Sequence, residues 1–220
     1  MKSQLANSLV VKMTKLLILG AGGHGKVIAD TAEQTKAFDA IAFLDDRFND
    51  GLNNILHWPI LGTISDLNKI SSNEYAIAIG IGNNSMRAEF FELAISLNFD
   101  IPNIIHPTAY ISQYSTLGQG SVFFAHSVVN INAQIGNACI INTSASIDHD
   151  CVIGDFCHIS PGVHLAGASR VGDRSWLGIG SVTKQQVEVG QDCVVGAGAA
   201  VIQNVYNNSI VMGVPARLKS

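Results

Sequence analysis

The chain has 220 residues, and 13 Lys plus Arg against 17 Asp plus Glu leave a formal net charge of −4; that balance argues against a nucleic-acid surface, which needs a clustered excess of basic residues. Hydrophobic residues make up 47% and charged ones 14%, a composition that excludes a disordered chain. No uncharged apolar stretch reaches the roughly 18 residues of a membrane-spanning helix.

The opening MKSQLANSLVVKMTK has a short apolar core and no small-residue cleavage site, so it does not read as a signal peptide. Met13 stands just before the first strand, and residues 1–14 are expected to form a flexible extension. The four cysteines form no CxxC, and a reduced, cytoplasmic compartment is the expectation. Residues 16–20, LLILG, read as a buried strand that runs into Gly20-Ala21-Gly22-Gly23-His24-Gly25 and then the helical stretch KVIADTAEQT. This is GxGxxG between a strand and a helix, where glycines let the backbone approach a phosphate at a helix N-terminus. A second strand, AIAFLDD, ends on Asp45 and Asp46. A third run, YAIAIGIG, ends at Gly82-Asn83-Asn84 before the helix SMRAEFFELAISLN, and a short strand, IPNIIHP, leads onward. The order β-α-β-β-α-β over residues 15–106 predicts a Rossmann-like α/β half-domain, with a parallel sheet and a ligand at the strand C-terminal ends. About ninety residues supply about half of a dinucleotide fold, which uses two mononucleotide halves. One nucleotide, or the nucleotide end of a larger substrate, therefore fits better than NAD; glycines that merely close a tight turn are the alternative.

From Ile111 to Val201 a six-residue period runs without insertion, and fourteen of its sixteen positions are Ile, Leu or Val. Four residues after each, from Ser115 to Ala199, stands Ser, Ala, Cys or Val, and Cys139, Cys151, Cys157 and Cys193 all fall there. Such a cycle fits neither a helix nor an isolated strand. It fits short strands winding round a solenoid over residues 107–220, with aliphatic side chains in the core and small ones at tight corners. The cysteines are then small hydrophobes, with metal or redox chemistry the lesser alternative. Gly118, Gly136, Gly154, Gly172 and Gly190 recur every eighteen residues. One coil therefore has three sides, and each glycine is expected to supply backbone freedom at one repeated turn.

A small α/β domain carrying GAGGHGKV, FLDD and IGNN, followed directly by hexapeptides and by Gly213-Val214-Pro215-Ala216-Arg217, resembles the PglD/NeuD-type family of nucleotide-amino-sugar N-acetyltransferases and sialic-acid O-acetyltransferases. The resemblance covers residues 15–218 and is most specific in INTSASIDHDCVIGDFCHIS. It implies a left-handed parallel β-helix, a hand that general crossover rules would not suggest. It also implies a homotrimer that binds acetyl-CoA between neighbouring prisms. By the same resemblance His149 is the general base, Asp150 raises its basicity, and His158 contacts acetyl-CoA. The best-studied members carry Glu after the base. Asp150 is a methylene shorter and is expected to reach the imidazole only if the backbone compensates.

The eighteen-residue register stacks Gly167 one coil above His149. A glycine there leaves its amide accessible to an oxyanion, and the family places the thioester carbonyl on the matching glycine. Ile179 and Ala197 share another column, on a different side of the prism, and match family positions along the pantetheine and adenine path. A single ligand touching both columns is most easily met by two chains.

The residue types suit acetyl transfer by themselves. Attack of an amine on a thioester needs a base working near neutral pH, which is histidine's range, and a carboxylate on the far ring nitrogen fixes the tautomer. No serine sits in GxSxG and the corner cysteines offer no nucleophile, so direct transfer without an acyl-enzyme is expected. Among the other histidines, His57 reads as a surface residue, His106 as support for the domain junction, and His126 and His164 as structural or interfacial. The leading expectation is acetylation of the 4-amino group of a UDP-linked 4-amino-4,6-dideoxy-N-acetylhexosamine of the bacillosamine type. Gly22, Gly23, His24, Asp45, Asp46 and Asn84 would hold the nucleotide, with Asp45 or Asp46 on uracil or ribose because carboxylates repel phosphate. Asn142 would orient the sugar or His149. Neither a metal nor NAD is expected. The alternatives are sialic-acid O-acetylation, GDP-perosamine N-acetylation and a non-catalytic trimeric scaffold.

Overall fold

The computed structural model describes residues 14–219, so the expected extension lies, apart from Thr14, outside the described residues. Strands β1 (Thr14–Leu19), β2 (Phe38–Leu44) and β3 (Tyr75–Ile79) form a parallel sheet in the order β2-β1-β3. Helix α1 (Gly23–Thr35) follows β1 and α2 (Asn84–Ser96) follows β3. Side chains alternate along β1, as the two-residue period of a strand requires. Leu16 and Ile18 join a cluster with Ile28, Ala29 and Ala32 of α1, while Leu17 and Leu19 join one with Phe91 and Ala94 of α2. Both faces are covered, which is why these strands read as unbroken apolar runs.

The strand in IPNIIHP does not extend this sheet. Ile104–Ile105 pairs in parallel with Val122–Phe123 and is the first rung of the solenoid, inside the expected 15–106 unit. Ile105 stands six residues before Ile111, already in the hexapeptide register.

The solenoid has three sheets of six, five and eight two- or three-residue strands. Paired residues lie eighteen apart, as in Val128↔Ser146 and Ser146↔His164, until the last coil, where Val194↔Ile210 and Val189↔Val205 lie sixteen apart. The second residue of each rung faces inward, and Ile141, Ile147 and Ile159 are wholly buried, each contributing about 1.5–3 kcal/mol of burial. Thr183 takes an aliphatic position because its hydroxyl accepts from the Ala166 N–H at 3.1 Å and meets Ser169 Oγ at 3.0 Å. All four cysteines are buried at the small corner position.

The glycine column has a different cause from the one expected. Every sixth residue from Gly120 to Gly198 has a positive φ, and only four of those fourteen corners are glycine. Gly118, Gly136, Gly154, Gly172 and Gly190 are not among them. They are glycine because the next coil passes too close: a Cβ on Gly136 would lie 2.6 Å from the Gly154 carbonyl carbon.

The halves share their cores. Val122, Phe124 and Ile140 of the solenoid pack into the cluster beneath α1, and Ala138 and Phe156 into that beneath α2. Arg87 of α2, 2% exposed, fastens this junction. Its Nε–H donates to Ala138 O at 2.7 Å, and its Nη2–H to Phe156 O at 2.6 Å and Asn84 Oδ1 at 2.7 Å. Its Nη1–H donates to Ile81 O and Gly82 O at 3.2 and 3.1 Å. Burial pulls its pKa down to about 10, so it stays charged at neutral pH. Arg87→Met should lower the unfolding free energy in urea by about 3 kcal/mol, because buried carbonyls lose their donor. Arg87→Lys should recover only part of it, since an ammonium lacks the planar fork.

Candidate active site

Asp148, His149 and Asp150 form a corner between the rungs Ser146–Ile147 and Val152–Ile153. The His149 backbone N–H donates to Asp148 Oδ1 at 2.8 Å, and His149 Nδ1 lies 2.7 Å from Asp150 Oδ2. The shorter carboxylate therefore reaches the ring. Asp150 does so from a left-handed backbone, φ 60°, a conformation Asp adopts more readily than most residues. The bond to Asp150, and then the Asp148 charge, hold His149 above the ordinary imidazole range, and the same bond keeps Asp150 below the usual carboxylate range. With Nδ1 engaged, Nε2 is the nitrogen left for chemistry, and it abuts Gly167: a Cβ there would sit 2.5 Å from it. Gly167 O accepts from the Gln186 N–H at 3.0 Å, while the Gly167 N–H has no acceptor among the described residues.

A second corner, one face round the prism, carries a groove of about 410 Å³. Asn142, His158, Ile179 and Ala197 all line it, together with Pro161 and Trp176. Residues singled out by separate reasoning thus share one cavity. His158 stacks on Trp176 with ring centres 5.9 Å apart and planes 10° from parallel. The indole N–H donates to Ser160 Oγ at 2.8 Å, and Asn142 Nδ2 lies 3.3 Å from His158 Nε2. Burial, and then the Arg87 charge, push His158 down to about 4, so its ring is neutral at physiological pH. A cleft of about 550 Å³ adjoins through His158 and Trp176 and reaches the loop Gly82–Ser85 of the N-terminal half.

The nucleotide candidates are placed unevenly. Gly22 and Gly23 face open space, with no atom of the described residues within 4 Å of where a Cβ would be. His24 turns toward the solenoid, edge-on to Phe124 at 5.6 Å, and its buried Nε2 has no partner among the described residues. Burial and then Arg87 push it down to about 3, so it offers a phosphate no charge. Asp45, expected on uracil or ribose, accepts from the Ala21 N–H at 2.7 Å and from Arg47 Nε–H and Nη2–H at 2.7 and 2.9 Å. Those bonds, against partial burial, lower it to about 2, and the bond to Ala21 fastens the glycine loop. Asp46 is exposed and takes the Ile64 N–H at 3.1 Å. Asn84 bridges the halves, with its Nδ2–H donating to Arg174 O at 2.8 Å and its Oδ1 taking Arg87.

Three contributors escaped the sequence reading. Trp176 stands eighteen residues after His158 and Asn132 eighteen before Asp150, so the repeat register could have pointed to both. Arg87 has no such signal. Within one chain the structure keeps the His149 corner and the groove on different corners. Between them lies a face whose outward residues Val128, Ser146, His164, Val182 and Ala200 carry no charged Asp, Glu, Lys or Arg.

Comparison with known proteins matches residues 15–94 to the PglD N-terminal domain and residues 132–167 to the bacterial transferase hexapeptide (six repeats). The acetyltransferase domain of PglB from Neisseria gonorrhoeae FA1090, solved in complex with acetyl coenzyme A, is 39% identical with a TM-score of 0.91, covering 94% of this chain and 100% of that one. The chain belongs to the PglD/NeuD-type hexapeptide acetyltransferases. GDP-perosamine N-acetyltransferase of Escherichia coli O157:H7 is 26% identical over 82% of each chain. UDP-N-acetylbacillosamine N-acetyltransferase of Bacillus subtilis (strain 168) is 34% identical over 51% of this chain and 52% of its own. In an acetyltransferase built this way the tight seat of His149 is a sharp test. Gly167→Ala should leave the melting temperature nearly unchanged yet lower the acetylation rate about 10²-fold, because the new methyl displaces the imidazole.

Proposed function

We propose that this acetyltransferase moves the acetyl group of acetyl-CoA onto the 4-amino group of a UDP-linked 4-amino-4,6-dideoxy-N-acetylhexosamine, with His149 as general base. The observation that carries this reading is the His149–Asp150 pair set directly beneath the unpartnered Gly167 amide. The Bacillus relative supports the UDP-sugar. A GDP-perosamine acceptor is the second reading, favoured by the relative that matches over 82% of both chains. The apolar groove with its neutral His158 suits the uncharged pantetheine arm better than a phosphate.

In this mechanism the amine nitrogen attacks the thioester carbon while His149 Nε2 accepts the proton that the nitrogen loses. Asp150 stabilises the resulting imidazolium through Nδ1–H, and the Gly167 N–H donates to the oxyanion. Collapse of the intermediate breaks the carbon–sulfur bond, and the imidazolium returns its proton to the departing thiolate. No residue is acylated. Because His149 and the groove occupy different corners, each site joins one chain's base to its neighbour's groove across the uncharged face, in a homotrimer.

A thiol-release assay with acetyl-CoA and a panel of UDP-, GDP- and CMP-amino sugars should give turnover with a UDP-4-amino sugar. Turnover only with GDP-perosamine selects the second reading, and no turnover together with no CoA binding selects a scaffold. The base works deprotonated, so the acid limb of kcat/KM should lie above the ordinary imidazole value, and Asp150→Asn should move it to lower pH. Mixing inactive His149→Asn subunits with inactive Ile179→Trp subunits should restore activity, since some interfaces then pair an intact base with an intact groove. Failure to complement would place the whole site in one chain.

A further inference from the structure

Around His149 one arrangement occurs twice. Asn130 stands eighteen residues before Asp148, and its Nδ2–H donates to Asp148 Oδ1 at 3.0 Å. Asn132 stands eighteen before Asp150, and its Nδ2–H donates to Asp150 Oδ1 at 3.3 Å. Asp148 in turn takes the His149 backbone N–H, while Asp150 Oδ2 faces His149 Nδ1. One asparagine–carboxylate pair therefore holds the backbone of the base and the other holds its ring.

The second pair has the harder task. The Asp150 side chain is 52% exposed, so water competes for its oxygens and rotation about its short stem is unhindered from outside. A carboxylate has two oxygens, and an amide can hold one without neutralising the other. An ammonium or guanidinium at position 132 would draw charge away from the imidazole; the asparagine anchors the carboxylate and leaves its charge directed at His149.

We propose that Asn132 is a positioning residue for the general base: by holding Asp150 Oδ1 it keeps Oδ2 on His149 Nδ1, and it makes an aspartate sufficient at this position. The inference rests on the reading of His149 as base given under Proposed function. The charged groups that act on His149 are Asp150 and Asp148 of its own turn. The coil before presents Asn130, Ile131 and Asn132 at these corner positions and the coil after presents Ala166, Gly167 and Ala168, none of them titratable. Asn132 lines neither the groove nor the cleft of its own chain, and its bond to Asp150 directs the effect of its removal to the ring of His149.

The test follows the His149 imidazole by NMR pH titration in the full-length protein, its resonance assigned by loss in His149→Asn. Acetyl transfer is measured on the same variants. In Asn132→Ala, His149 should titrate at lower pH and kcat should fall about 3- to 10-fold, the size of one hydrogen bond, with both KM values unchanged. The same substitution in an Asp150→Asn background should add nothing, since the two act as one unit. Alanine already occupies this left-handed corner at Ala138 and Ala168, with φ 46° and 57°, and Asn132→Gly, which makes no demand on φ, should reproduce the result. An unmoved His149 titration in Asn132→Ala, or an equal loss in the Asp150→Asn background, overturns the proposal. Full activity in His149→Asn removes the base reading and this inference together, whereas an inactive His149→Asn beside an unmoved Asn132→Ala overturns the inference alone.

Discussion

From the first coil to Val201 each rung of the solenoid rests on the one eighteen positions before it, and this single translation organises everything else. It places aliphatic side chains in continuous inner columns and forces small residues where coils approach. It also lets a polar side chain find a partner directly above or below itself. The ladders Asn130–Asp148, Asn132–Asp150 and Arg174–Asp192 all span one coil. A structure stabilised by neighbours only one repeat away tolerates chemistry at the outward positions of its corners, because only the small inward corner residue, such as Cys151, belongs to the core. That freedom is what allows two carboxylates and an imidazole to stand consecutively at one corner without disturbing the core.

The junction between the halves depends on a different interaction, a buried guanidinium satisfied by carbonyls instead of a carboxylate. Five backbone carbonyls from the loop after β3 and from two successive coils converge on Arg87. A carboxylate partner would have cancelled its field. Carbonyl dipoles satisfy its hydrogen bonds and leave a net positive charge beside His24 and His158, which adds to desolvation in depressing both. The cation that fastens the nucleotide half to the solenoid therefore reinforces burial in keeping the histidine of the proposed acyl-donor groove neutral.

Where a repeat carries the information, the sequence made the arrangement legible. The pairing of His149 with Gly167 and of Ile179 with Ala197 followed from counting eighteen, and the cavity shared by Asn142, His158, Ile179 and Ala197 agrees with it. Where a residue type serves two purposes, the sequence alone does not separate them. A carboxylate following β2 looks the same whether or not it accepts from its own chain, as Asp45 does from Ala21 and Arg47. A periodic glycine looks the same whether it relieves φ or clears the next coil, and only the backbone shows that the left-handed corner lies two residues further on. Arg87 was invisible because backbone carbonyls, its partners, leave no mark in a sequence.

The neutral histidine at the groove, His158, has a consequence for what can lie there. An imidazolium would attract the phosphates of a nucleotide as readily as it would hydrogen-bond an amide, and a ligand with both could bind in either direction. A neutral ring offers one donor and one acceptor and no net charge, so it favours amide and carbonyl groups over phosphate. Arg174, the cation at the adjoining cleft, is paired through two bonds to Asp192, both at 2.8 Å, and offers little net charge either. The groove and the adjoining cleft are thus kept electrically quiet, with the charges of the base corner, Asp148 and Asp150, on the other side of the uncharged face. A donor entering along that face aligns by apolar contact and amide hydrogen bonds, and the strong local field acts only at the reacting nitrogen, where charge develops during transfer.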